Sequence, residues 1–288
     1  AFDPETGFKP DDPVSNALAC RVLDVRWRVN FALGRDFEHQ YVEDLGQVAA
    51  SCPALSASAR DQLAEIAFNR GERARISLSE EGALPSLDRA LGAITDYTAA
   101  AKVKRFELEA QRGMGEVYYR LSQVQPGAAE TYLDHAITSY KRVLELGEGT
   151  QPAEMRALDF EQLGTSLAAR ARLTGLPGSE EKRAAYARAA EAYGQAIALA
   201  PTSGRYVMLG EAAGASGQYQ ASVAAYRSAL SGLSGAEKTQ ASLALVAILD
   251  RMGDESGALA LLKQVSGEAS GTPQVEYEIG LREFLDGR

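Results

Sequence analysis

Apolar residues recur every three or four positions along the chain, in blocks separated by Gly- and Pro-containing breaks, which is the period of amphipathic helices and not of strands. From Val14 to Leu33 one stripe is Leu18, Val22, Val25 and Val29; a second, on the opposite side, is Cys20, Leu23, Trp27 and Phe31. The first predicted helix is therefore apolar on two faces. Gly34-Arg35-Asp36 interrupts it, and the next predicted helix carries Phe37, Tyr41, Leu45, Val48 and Cys52 before Pro53 stops it. In an antiparallel helical hairpin, facing residues share a constant index sum. The midpoints of Cys20/Cys52, Trp27/Leu45 and Phe31/Tyr41 all fall in the turn, so the two cysteines are expected to face each other. A disulfide there would stabilise by about 3 to 4 kcal/mol in an oxidising compartment. Two reduced, buried thiols acting as small apolar residues are the alternative. Ahead of this hairpin, Pro4, Gly7, Pro10 and Pro13 deny residues 1–13 a regular helix and predict an extended arm.

Further along, one pattern recurs. Its clearest unit runs Tyr206, Leu209, Gly210, then Gly217-Gln218-Tyr219, then Ser222, Tyr226, Ala229. Ala189, Tyr193, Ala196, Leu199 and Pro201 repeat its second half, with Leu163-Gly164 before them. Met114-Gly115 and Tyr118 precede Ala136, Tyr140 and Val143, and Gly253 precedes Ala258, Leu262 and Val265. Aligned on Gly115, Gly164, Gly210, Val246 and Gly280, the units are spaced by 49, 46, 36 and 34 residues. Asp61–Gly71 and Asp88–Tyr97 fit the same template weakly, and no proline marks a turn between Tyr97 and Phe106. Gly280 to Gly287 is expected to form a terminal helix packing Ile279, Phe284 or Leu285 on the preceding pair.

Small residues that let helices approach, alternating with aromatics that fill the space between them, resemble the tetratricopeptide repeat. Ala213, where an aromatic is usual, and Ser222, where Ala is usual, depart from it. The resemblance implies an all-α fold: a right-handed α-solenoid of stacked antiparallel helix pairs. It also implies three parts: the arm (1–13), N-terminal helical hairpins (14–104) and repeats with some elongated members and a capping helix (105–288).

Composition narrows the chemistry. Apolar residues make up 45% and charged residues 24% of the 288, as in a globular protein. Charge-free runs such as Ala212–Tyr226 reach only 15 residues, too short for a membrane span. The net charge of −9 disfavours nucleic acid. His39 and His135 stand without a Cys or second His at ligand spacing, so neither metal nor cofactor is expected. The nearest match to a nucleophile elbow, Gly164-Thr165-Ser166-Leu167-Ala168, falls within a predicted helix, and no phosphate loop occurs. Glu180-Glu181 reads as first-turn dipole compensation.

The resemblance places a partner in the concave groove lined by the first helix of each pair. Carried over from Gly115, the groove residues are Glu109, Arg112, Glu116, Tyr119 and Arg120, a mixed-charge and aromatic patch suited to a protein or peptide. The same four charges are also what intrahelical ion pairs on a solvated face look like. From Gly164 and Gly210 the positions are mostly small or apolar: Leu158, Glu161, Thr165, Ala168 and Ala169, then Gly204, Val207, Glu211, Gly214 and Ala215. With only Asn16, Asn30 and Asn69 available, the carboxylate-clamp subtype is disfavoured. The expected function is a non-catalytic interaction scaffold, periplasmic or secreted, serving an envelope assembly or secretion complex. A cytosolic adaptor, or a glycan-binding or enzymatic module on a solenoid, are the alternatives.

Overall fold

The structure is a computed structural model that describes residues 13–80, 86–268 and 273–285, and its regular elements among these residues are all helical. It divides into two compact units, residues 1–124 and 125–288. The first contains α1 (Pro13–Leu33), α2 (Glu38–Ser51), α3 (Ser56–Glu80), α4 (Leu87–Ala100) and α5 (Lys104–Val124). The second contains α6 (Ala129–Leu146), α7 (Ala153–Leu173), α8 (Glu180–Leu199), α9 (Ser203–Ser216), α10 (Tyr219–Leu230), α11 (Gly235–Arg251), α12 (Glu255–Glu268) and α13 (Pro273–Leu285). Within each unit every helix packs on the next; in addition α3 touches α5, and α9 touches α11. Each unit is thus an all-α stack of consecutive helix pairs, as in a helical solenoid.

In the first unit the opening hairpin has the expected register. Cys20 and Cys52 are bonded, with Sγ–Sγ 2.12 Å and Cα–Cα 5.7 Å, and Phe31 meets Tyr41 edge to face at 5.3 Å. Leu23, Leu45, Val48 and Cys52 form the buried core, flanked by Trp27. Of the two apolar stripes on α1 only this one is covered. The arm expected over 1–13 lies outside the described residues except for Pro13, which opens α1, where its missing N–H costs nothing. Phe37 falls in the short 3-10 turn before α2 and is exposed. The break expected at Glu81–Pro85 lies outside the described residues.

The turn without a proline has a tertiary cause. α4 ends at Ala100, Ala101 N–H still bonds to Tyr97 O at 2.8 Å, and α5 restarts at Lys104. There Phe106 stacks on Phe68 of α3 at 5.5 Å. Docking of that ring, not a local breaker, sets the reversal.

Helix spacing in both units is set by tyrosines lying over glycines. The Tyr97 ring is packed between Gly71 of α3 and Gly113 of α5, Tyr193 lies on Gly164, and Tyr226 on Gly210. Added Cβ atoms at Gly164 and Gly210 would stand 2.7 and 2.9 Å from those rings. In the α9–α10 pair Gly217, at φ 86°, terminates α9 while Gln218 N–H returns to Ala213 O at 2.9 Å. Gly253 (φ 75°) repeats this geometry after α11. Ser222 is completely buried and donates to Gly210 O at 2.7 Å, which is why a hydroxyl is tolerated at a position that otherwise takes alanine.

At the end of the second unit α13 packs on the preceding pair through Ile279, one of the residues expected, together with Val275, which was not. Val275 is fully buried and Ile279 lies against the same core, whereas Phe284 is 79% exposed; the Leu285 side chain lies outside the description. The α13 face repeats every three or four residues, and Val275 and Ile279, not Phe284, fall on its inner side.

Two predictions follow from this packing. Gly210→Ala gains helix propensity worth about 1 kcal/mol, but its new methyl must displace the Tyr226 ring, and overpacking of this kind costs about 1 to 3 kcal/mol. It is expected to lower the melting temperature, while Gly194→Ala in α8, with nothing within 4 Å of its Cβ position, should raise it. Thiol titration of denatured, unreduced protein should find no free thiol. Cys20→Ser should destabilise the first unit by about 3 to 4 kcal/mol, the value for closing a 32-residue loop.

Candidate functional site

The five residues that the resemblance assigns to a groove lie on α5, at positions 109, 112, 116, 119 and 120. At 100° per residue they occupy a sector about 100° wide, opposite Ala110, Met114, Val117 and Leu121, which are buried. Four of them are paired on α5 itself, Arg112 with Glu109 and Arg120 with Glu116, and Glu116 also pairs across to Arg75 of α3.

Glu116 is the centre of the network. It accepts from Arg75 of α3 at 2.8 Å and from Arg120 at 2.8 Å, and Arg120 also donates to Leu78 O of α3 at 3.3 Å. Arg75 donates in turn to Glu72 at 2.8 Å, and the Tyr97 hydroxyl donates to Glu72 at 2.6 Å. A continuous polar chain therefore runs Tyr97–Glu72–Arg75–Glu116–Arg120 across the α3–α5 surface. Arg112 pairs with Glu109 on α5 itself; its side chain is 18% exposed and that of Glu109 52%. Tyr119 is half-buried beside them. Glu72 and Arg75 on α3 carry no signal in the repeat pattern, because their partners are 25 and 41 residues away along the chain.

The electrostatics follow from this packing. Burial pushes the Glu72 carboxyl up, but hydrogen bonds from Arg75 and Tyr97 outweigh it and hold it below the usual carboxylate range. The Glu72 hydrogen bond raises the already basic Arg75, and burial followed by the Glu72 bond drives the Tyr97 hydroxyl well above its ordinary value. Glu72 and Arg75 are therefore both charged throughout the neutral range, with Tyr97 as a fixed donor.

In the second unit the carried-over positions serve several purposes. Glu161 accepts from Arg205 of α9 at 2.8 Å, Thr165 receives the Tyr193 hydroxyl at 3.2 Å, and Ala168 packs in the Tyr193 cluster, while Leu158 is exposed and Ala169 buried. Gly214 packs under Ile248, whereas Gly204, Glu211 and Ala215 are exposed and Val207 is half-buried. A concavity of this unit lies between α6, α7 and α8. It measures about 610 Å³, with a floor of Ile137, Phe160, Leu163 and Leu167 and a rim that includes Lys141 and Arg188. Arg170 at its edge is held by Asp134 at 2.9 Å and by Glu130. Periodicity on one helix cannot reveal this cleft, since three helices make it.

Among the described residues no group of three or more His, Cys, Asp or Glu side chains is placed to hold a metal ion, and no helix is long and apolar enough to cross a membrane.

A carboxyl whose folded pKa is depressed contributes stability above its unfolded pKa, about 4.3, and loses it as pH falls through the folded value. Glu72→Gln should therefore melt below the native protein at pH 7, and the gap should narrow on acidification past about pH 4. Thermal melts from pH 7 to 3 test this; a gap independent of pH would mean that the Glu72 charge contributes nothing.

No known protein family and no curated protein matches the chain. What these surfaces do must be argued from their own residues.

Proposed function

We propose that this chain is a non-catalytic scaffold that holds a protein or peptide partner on the α5 face, in the manner of a tetratricopeptide groove. We assign its work to the bacterial cell envelope, as an accessory factor in assembly or secretion. The observation that carries the reading is the interlocked α3–α5 surface. Glu116 and Arg120 are already fixed by Arg75 and Leu78 O, so they present hydrogen-bonding groups whose ordering entropy is spent on folding and not on binding. Arg112 and Tyr119 stand on the same sector and are the residue types that most often anchor an interface. The compartment is supported by the Cys20–Cys52 bond, which forms and persists in oxidising surroundings.

Two experiments test this reading. Arg112→Ala with Tyr119→Ala should change stability by no more than about 1 kcal/mol, because both side chains are only partly buried and Arg112 pairs with Glu109 of its own helix. The same change should weaken partner binding by about 2 kcal/mol or more, measured against whatever protein crosslinks to the native chain in periplasmic extracts. A large loss of melting temperature would make the pair packing groups, and full retention of every crosslinked partner would move the functional surface off α5. Alkylation of intact cells before lysis should find Cys20 and Cys52 protected; alkylated thiols would place the protein in a reducing compartment.

A further inference from the structure

Among the described residues, an apolar helix face is exposed on α1 and another on α13. On α1 the stripe Leu18, Val22, Val25 and Val29 is 63, 56, 60 and 51% exposed. On α13 Tyr277, Leu281 and Phe284 are 66, 40 and 79% exposed. Apolar groups of this size exposed side by side along a helix mark an interaction surface, unlike single scattered ones.

Their spacings match. The α1 stripe steps by four, three and four residues and the α13 stripe by four and three, which is the seam that packs one helix along another with knobs in holes. Their edges are opposite in charge. α1 carries three arginines and one aspartate, and Arg21, Arg26 and Arg28 flank its stripe; Asp44 and Asp24 hold Arg26 and Arg28 from behind. α13 carries three glutamates and one arginine; Glu278, at the edge of its stripe, meets Arg282 at 3.7 Å and Glu283 meets Lys263 of α12 at 2.8 Å, while Glu276 is exposed nearby, so the edge is acidic on balance. Counting these partners, the α1 edges remain net basic and the α13 edges net acidic, so pairing either helix with its own copy would set like charge against like. Only the mixed pairing joins both apolar seams with attractive edges.

We propose that the protein associates head to tail, the outer face of α1 in one copy docking on the outer face of α13 in the next through Val22 and Val25 against Leu281 and Phe284. Such a contact is heterologous, so each added copy leaves a free α1 face and a free α13 face, and the series continues unless it closes into a ring. One helix pair buries less than the roughly 1,200 to 2,000 Å² of a stable interface, so the association is weak and reversible. Lipid is the less suitable cover for α1. Its outer stripe holds no aromatic ring, its Trp27 faces inward, and the net charge of −9 repels an anionic bilayer.

Sedimentation velocity of the full chain from about 10 to 500 µM, a range chosen for a weak contact, should show mass rising past the monomer. V22E/V25E and L281E/F284E should each remain monomeric with native circular dichroism, because the substituted side chains are exposed. Mixed one to one, they should form a dimer and nothing larger, since each retains one intact face. A monomer at every concentration overturns the proposal, and so does self-association of L281E/F284E alone, which would indicate α1 pairing with itself. If one variant misfolds, the other still decides, because losing either face must abolish self-association. Monomers that co-float with anionic vesicles would reassign the α1 stripe to a membrane.

Discussion

A tyrosine ring laid on a helical glycine fixes the distance between helices in both units. At Gly164 and Gly210 no side chain larger than hydrogen fits beneath Tyr193 and Tyr226, and Tyr97 is held between Gly71 and Gly113 of two different helices. The aromatic contributes the buried area and the glycine permits the backbone to come close; neither works without the other. Around these contacts the core is assembled largely from alanine, which leaves few large knobs to define how far one helix slides along its neighbour.

Ion pairs that cross from helix to helix supply the missing register. Arg70 of α3 binds Asp96 of α4, Arg75 binds Glu116 of α5, Arg205 of α9 binds Glu161 of α7, and Arg282 of α13 holds Asp250 of α11 at 2.7 and 2.9 Å. Arg205 is only 9% exposed and gives a further bond to Ala200 O, so a slip of one turn would strand a buried guanidinium. Most of the exposed pairs add little energy. Their geometry still disfavours other registers, because a one-turn shift of about 5.4 Å breaks each of them.

The parts of this architecture that were legible in the sequence are those encoded within a single hairpin. The index sum located the Cys20–Cys52 bond, and the Gly210–Tyr226 spacing located a helix pair, because both depend only on chain distance and a turn. The reversal after Ala100 was illegible: Phe106 is seated by Phe68, 38 residues earlier, and no local residue announces it. Ser222 looked like a departure from the pattern until its bond to Gly210 O accounted for it. The candidate surface was legible on one helix only. The α5 residues were named through the resemblance at Gly115, whereas Glu72 and Arg75, which fix Glu116, belong to α3 and share no period with them.

Exposure of the two α1 stripes shows why apolar periodicity predicts a helix better than it predicts a core. Both stripes on α1 satisfy the helical period, yet only Leu23 and its neighbours find α2 to pack against. A stripe states that a surface needs a partner; it does not state that the partner is within the same chain. The same holds on α13, where Val275 and Ile279 are satisfied internally while Leu281 and Phe284 are not. In a stack of helix pairs every interior helix has neighbours on both sides, so an apolar face left open at α1 or α13 is where association can add burial without rearranging anything already folded.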